Sequence, residues 1–136
     1  MRLDLYQAEA KRIAAEQTAL LDEARTVLKE GRELSALESN GVLHALQILI
    51  ENSIGKAKQW LKAKDQPVPV SAYDAFAALV RIGAIESEEL SKWNALVGIR
   101  NRIVHDDMNM GRIHSLVWDG KYRSVAEFLM KSSGTL

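Results

Sequence analysis

The chain has 136 residues, 18 basic and 18 acidic side chains, a formal charge of zero and no cysteine. Its length predicts one domain over residues 1–136 with a core that needs no staples, and the absence of cysteine excludes disulfides and thiolate metal sites. Zero net charge gives no bulk support for binding a polyanion.

Residues 1–9 hold Asp4 and no apolar run, which does not fit a secretion signal. The longest apolar stretch, residues 46–50, is interrupted by Gln47 and is far too short to span a membrane. A soluble, cytoplasmic protein is expected. The hydrophobic period is helical almost everywhere. Leu20, Leu21, Ala24, Val27 and Leu28 line one face of a first long helix over residues 4–31. Leu43, Leu46, Ile50, Ile54, Ala57 and Leu61 form the stripe of a second, over residues 35–64. Such a near-heptad stripe packs along a neighbouring helix at a shallow angle. Pro67 and Pro69 then stop the pattern, since each lacks a donor and pushes its predecessor out of helical geometry. Ser71 is placed to cap a third helix over residues 73–82, ended by Gly83. Ser87, followed by Glu88, Glu89 and Leu90, starts a fourth helix that carries Trp93, Leu96 and Val97. Residues 106–111 read as a turn. A last helical region breaks at Asp119-Gly120 and resumes to Lys131, with 132–136 as a frayed tail. No run alternates as a strand. The fold class is an all-α bundle of two long antiparallel helices and several shorter ones.

The stretch that most resembles chemistry is Arg100-Asn101-Arg102-Ile103-Val104-His105. Arginine holds a phosphate with a planar fork of donors, and histidine moves protons near neutral pH. Together they form a minimal kit for phosphodiester cleavage without a metal, and RNA suits it because the 2′-hydroxyl is an internal nucleophile. Positions five apart stand about 140° apart around a helix. Arg100 and His105 therefore converge only if the helix ends near His105, if the arginine wraps round, or if a second chain completes the site. Isolated Arg and His residues on helices are structural more often than catalytic, so both readings stand at this point.

Other residues have a functional and a plain reading side by side. Asp106 and Asp107 could orient the imidazole or serve as turn and cap residues. His44, among Leu43, Ala45 and Leu46, reads as an interior or interface histidine. His114 could reach the motif. Glu51, beside the Ile50/Ile54 stripe, would be costly to bury unpaired and is expected to meet an arginine such as Arg100. Lys56, Lys58, Lys62 and Lys64 read as a solvated helix face or as a guide for RNA. Trp60, Trp93 and Trp118 could stack on bases, or serve the core or an oligomer contact. No Glu-x-x-His pair supports a di-metal bundle. Gly55-Lys56 lacks the rest of a phosphate-binding loop, and there is no Gly-x-Ser-x-Gly elbow.

Three stretches together resemble the HEPN-domain ribonuclease toxins of the HepT type, the toxin half of HEPN/MNT toxin–antitoxin pairs. They are residues 46–52 (Leu46 to Asn52), the helix start over Pro69 to Phe76, and the string from Val97 to His105; the likeness extends over residues 37–128. The resemblance implies a HEPN helical bundle and a homodimer whose motif helices form one composite cleft. Arg100 would hold the scissile phosphate, and His105 would act as general acid or base in a metal-independent cleavage. Asn101 would position the phosphate or His105, with Glu51, Asp106 and Arg102 in support. The substrate would be tRNA or mRNA, cut to a 2′,3′-cyclic phosphate or its hydrolysis product. The partner would be an MNT-type nucleotidyltransferase antitoxin, and no resident cofactor or metal is expected. In that family the motif continues His-x-Tyr, and the tyrosine accepts AMP from the antitoxin. Here Asp107 stands in its place. Three readings are open: a natural variant neutralised by binding alone, a change from Tyr, or an enzyme weakened by a carboxylate that repels phosphate by about 1–4 kcal/mol. A catalytically silent module that binds a nucleotidyltransferase or a nucleotide is the alternative function.

Overall fold

Helix ends in this chain follow from capping chemistry. A computed structural model describes residues 3–105 and 110–131. They form α1 (Leu3–Lys29), α2 (Ala36–Ala63), α3 (Ala72–Arg81), a 3-10 turn (Ser87–Glu89), α4 (Leu90–Val104), α5 (Met110–Trp118) and α6 (Tyr122–Met130). The described residues contain no strand, so the fold is all-α. No described helix is long and apolar enough to cross a membrane.

Ser35 opens α2 with a reciprocal box. Its hydroxyl accepts from the Glu38 N–H at 3.1 Å, and its own N–H donates to Glu38 Oε1 at 2.8 Å. The Arg32 guanidinium holds the same carboxylate at 2.9 and 2.8 Å. These contacts, Arg32's first, keep the Glu38 carboxyl down at about 2. Ser71 caps α3 as expected, accepting from the Asp74 N–H at 3.3 Å. Ser87 does not cap α4. It lies inside the 3-10 turn, closed by Glu89 N–H to Glu86 O at 3.0 Å, and α4 proper begins at Leu90.

Four of the C-terminal ends share one device. At the end of α5, Lys121 N–H returns to Leu116 O at 3.1 Å and Gly120 N–H to Val117 O at 3.0 Å. Gly120 takes φ +71°, the left-handed stop that glycine adopts without cost. The same pair of bonds closes α1, α2 and α3, and in α2 the left-handed residue is Asp65 rather than glycine. The break expected at Asp119-Gly120 is therefore real. Met110 and Gly111, expected in a turn, belong instead to the first turn of α5.

The buried core draws on every α-helix. Trp93 stacks on Phe76 at 4.4 Å with 6° between planes, and meets Phe128 edge-on at 4.7 Å. Trp60 adds a looser stack on Phe128 at 6.1 Å. Four helices, α2, α3, α4 and α6, thus meet in one aromatic centre, and Trp60 and Trp93 serve the core. The expected stripe of α2 is buried from Leu46 to Leu61, with Leu43 at its margin. Leu20 departs from the expected face of α1: it is exposed, at the edge of an open groove shared with Val27 and Leu34. His44 is exposed rather than interior, since it lies one position off the stripe that Leu43 and Leu46 follow.

Lys56 overturns the reading of the lysine segment as one solvated face. It is 0% exposed, and its ammonium donates to the carbonyls of Phe128 at 2.6 Å, Leu129 at 3.2 Å and Lys131. These are carbonyls at the open end of α6, so a side chain from α2 closes a helix it does not belong to. Burial, with repulsion from Lys131 and Lys11, pushes its pKa down to about 8. Lys58 is occupied as well, donating to Val70 O at 2.8 Å. Lys62 and Lys64 are exposed.

Candidate functional site

Two sides of α4 divide the motif. Trp93, Leu96 and Val97 are buried, and Arg100 and Ile103 continue that inward stripe at i+7 and i+10 from Trp93. Arg100 is accordingly half-buried. Its Nε is shielded from solvent and has no hydrogen-bond partner. Asn94, Gly98, Asn101 and His105, at i, i+4, i+7 and i+11, share the other side. His105 is exposed and is the first residue beyond the helix, at φ −92° and ψ 8°. Its N–H still closes on Asn101 O at 3.1 Å. The helix thus ends at the motif, one of the conditions for convergence, yet no hydrogen bond joins Arg100 to His105.

Glu51 does not meet Arg100. It is exposed on α2 and accepts from Gln47 Nε2 at 3.1 Å. One position past Ile50, it is turned about 100° away from the buried stripe, so it has no burial cost to offset. Among the described residues neither Arg100 nor Arg102 has a carboxylate partner. Arg102 is exposed in the last turn of α4. Asp106 and Asp107 lie outside the described residues. His114, on α5, is half-buried with Nε2 shielded and unpartnered.

One neighbour of the motif had no signal in the sequence. Tyr73, in the first turn of α3, has an exposed ring, and its hydroxyl lies 3.6 Å from where a Cβ on Gly98 would stand. The approach depends on how α3 packs across α4, which local spacing does not report. The inward placement of Arg100 could have been found, because its spacing from Trp93 and Val97 is that of a core stripe.

Carbonyls at the end of α4 give this region a partial negative charge. An anion binding here relies on Arg100 and Arg102 to offset it. Both guanidiniums lack a carboxylate among the described residues; Arg102 is exposed and can offer its donors to a phosphate, whereas Arg100 is half-buried with its Nε shielded. The exposed imidazole of His105 stands at the same helix end and can exchange a proton with a bound group. No group of three or more His, Asp or Glu side chains among the described residues is arranged to hold a metal ion.

The model of one protein family, Ribonuclease HepT-like, matches residues 14–128. No curated protein and no solved structure matches the chain.

Proposed function

Since the chain belongs to the HepT-like ribonuclease family and folds as an all-α bundle of the HEPN type, we propose that it is a toxin that cleaves RNA internally without a metal ion. The observation that carries this reading is the end of α4, where Arg100, Asn101, Arg102 and His105 are grouped with both guanidiniums unpaired among the described residues. The 2′-hydroxyl of the substrate attacks the adjacent phosphorus, and the bond to the 5′-oxygen breaks. Arg100 and Arg102 hold the non-bridging oxygens as charge builds on them. His105 takes the proton from the 2′-hydroxyl or delivers one to the leaving 5′-oxygen. Asn101, on the same side of the helix as His105, positions the phosphate. The product carries a 2′,3′-cyclic phosphate.

One helix supplies a single exposed imidazole, whereas this reaction needs a proton acceptor and a proton donor. A homodimer with two motifs in one cleft provides both. Ser91, Ala95 and Gly98 on α4 are small and at least partly exposed, which suits close approach of a second α4. The toxin's partner is a nucleotidyltransferase antitoxin. With Asp107 where an acceptor tyrosine would stand, neutralisation proceeds by binding.

The test is cleavage of tRNA by purified protein in excess EDTA, with the product ends identified. Wild type cuts, leaving cyclic phosphate, while His105→Ala and Arg100→Ala remain folded dimers and do not. Loss of cleavage on chelation refutes the metal-free route. Wild type that leaves RNA intact but binds a nucleotidyltransferase partner points to the non-catalytic module instead.

A further inference from the structure

Trp118 is the one tryptophan the core does not use. Trp60 and Trp93 are 2% and 0% exposed, whereas Trp118 is 44% exposed at the last position of α5. Its backbone is fixed. Arg25 Nε, from α1, donates to Trp118 O at 2.9 Å, and the same guanidinium packs over Gly120, whose absent Cβ would lie 3.6 Å from Arg25 Cζ. Lys29, one turn beyond Arg25 on α1, sets its ammonium 3.7 Å from the centre of the indole. Lys121, exposed, follows in the turn after α5. A half-exposed indole thus has one cation over its ring, Lys29, a second, Arg25, bonded to its own carbonyl, and a third, Lys121, exposed three residues on in the chain. Asp119 is the carboxylate next to it in the chain, and the nearby Asp22 is already engaged by Tyr122 and Arg123.

We propose that Trp118, with Lys29, Arg25 and Lys121, is a stacking platform for a single-stranded segment of RNA that leads away from the end of α4. This rests on the ribonuclease reading. The chemistry needed is an aromatic face for a base and cations for the flanking phosphates, and sequence-tolerant sites for single strands combine those two. Lys29 fits the second role: its exposed ammonium can leave the indole face for a phosphate while a base takes its place. The position fits as well. α5 rises about 12 Å from Met110 to Trp118, and Met110 follows His105 by five residues, at most about 17 Å of chain. Trp118 thus stands within reach of a short strand whose phosphate sits at His105. Along α5, the exposed Gly111 and Ser115 precede Trp118 at i−7 and i−3. A strand following the helix meets no bulky side chain at those positions.

The core positions of the other two tryptophans make the test direct. A non-cleavable, 2′-deoxy-substituted single-stranded oligonucleotide should quench tryptophan emission saturably, and the quench should vanish in Trp118→Phe. Trp118→Ala should fold as wild type by circular dichroism and bind the oligonucleotide about 5- to 100-fold more weakly. Lys29→Glu should weaken binding further at low salt and lose that effect at high salt. Unchanged affinity in Trp118→Ala beside intact His105-dependent cleavage overturns the platform and leaves the nuclease standing. Trp118-dependent binding without any His105-dependent cleavage keeps the platform and removes the nuclease. Emission that shifts with protein concentration alone, without RNA, makes this face a contact between copies and overturns the proposal. No binding of RNA in any form overturns both.

Discussion

Replacing Lys56 with methionine removes a burial cost and a set of hydrogen bonds at once. Burial and neighbouring charge lower its pKa from 10.5 to about 8, a burden of about 3 kcal/mol on the ammonium. Against it stand three hydrogen bonds to the carbonyls of Phe128, Leu129 and Lys131, each worth ~1.5–3 kcal/mol when the donor is charged. Methionine has similar reach, fills the same space and removes the burden. It also takes the ammonium away from three carbonyls at the end of α6, leaving Phe128 O only the Lys131 N–H at 3.3 Å and Leu129 O only the Gln7 Nε2 at 3.4 Å. Three bonds outweigh the burial cost, so Lys56→Met should destabilise by ~2–5 kcal/mol. In urea, followed by far-ultraviolet circular dichroism, the midpoint should fall by about 1–2 M at unchanged slope. If desolvation outweighed the hydrogen bonds, the substitution would be neutral or stabilising, as replacements of other buried charges have been. A midpoint equal to or above wild type would therefore refute the role of Lys56 as a cap on α6.

Three further outcomes follow from the same contacts. Tyr122 is buried with its hydroxyl donating to Asp22, and burial first, then Asp22, pushes its pKa up to about 12; this stability is whole below pH 10 and lost between pH 10 and 12, a fall that alkaline denaturation should show and Tyr122→Phe should remove. Glu38 sits at about 2, below its ordinary 4.5, so its contribution is present above pH 4.5 and lost as pH falls towards 2; acid titration of Glu38→Gln should be flatter in that window. Alanine should have opposite effects at two glycines: Gly120, at φ +71°, should lose about 1–2 kcal/mol, while Gly41, helical with open space around its Cβ position, should gain ~0.5–1 kcal/mol in thermal unfolding.

Periodicity and punctuation carried most of the architecture. The long stripe of α2, the Ser71 cap and the glycine stops are local, and local chemistry can be read from neighbours in the chain. Lys56 could not be read that way. Its partners lie in α6, at the far end of the chain, and nothing nearby marks it as buried. Leu20, and the interior reading of His44, failed for a related reason: an apolar neighbourhood fixes which residues can be buried, but tertiary packing decides which are. In the motif, the 140° expected between Arg100 and His105 was legible, and in the structure the first is half-buried and the second exposed just beyond the helix. The pairing of Glu51 with Arg100 was wrong because the expected burial of Glu51 does not occur. Tyr73 beside Gly98 and Trp118 under Lys29 are products of helix packing and had no linear trace.

Burial also separates the two arginines of the motif. Arg100 lies on the inward stripe with Nε shielded from solvent, whereas Arg102 is exposed in the last turn. A unit charge 4 Å from a phosphate is worth about 4 kcal/mol at a partly buried site and about 1 kcal/mol in bulk water. In the proposed nuclease, Arg100→Ala should thus slow cleavage by about a thousandfold and Arg102→Ala by about fivefold. The loss in Arg102→Ala should shrink as salt rises from 0.05 to roughly 0.5 M, because exposed charges are screened within a few ångströms there. The loss in Arg100→Ala should persist. Measured as kcat/KM across that salt series, equal losses with equal salt dependence would mean that the half-burial of Arg100 plays no part in holding the phosphate. A larger, salt-sensitive loss at Arg102 would place the substrate on the outer side of α4, with Asn101 and His105, and leave Arg100 a structural residue of the inward stripe.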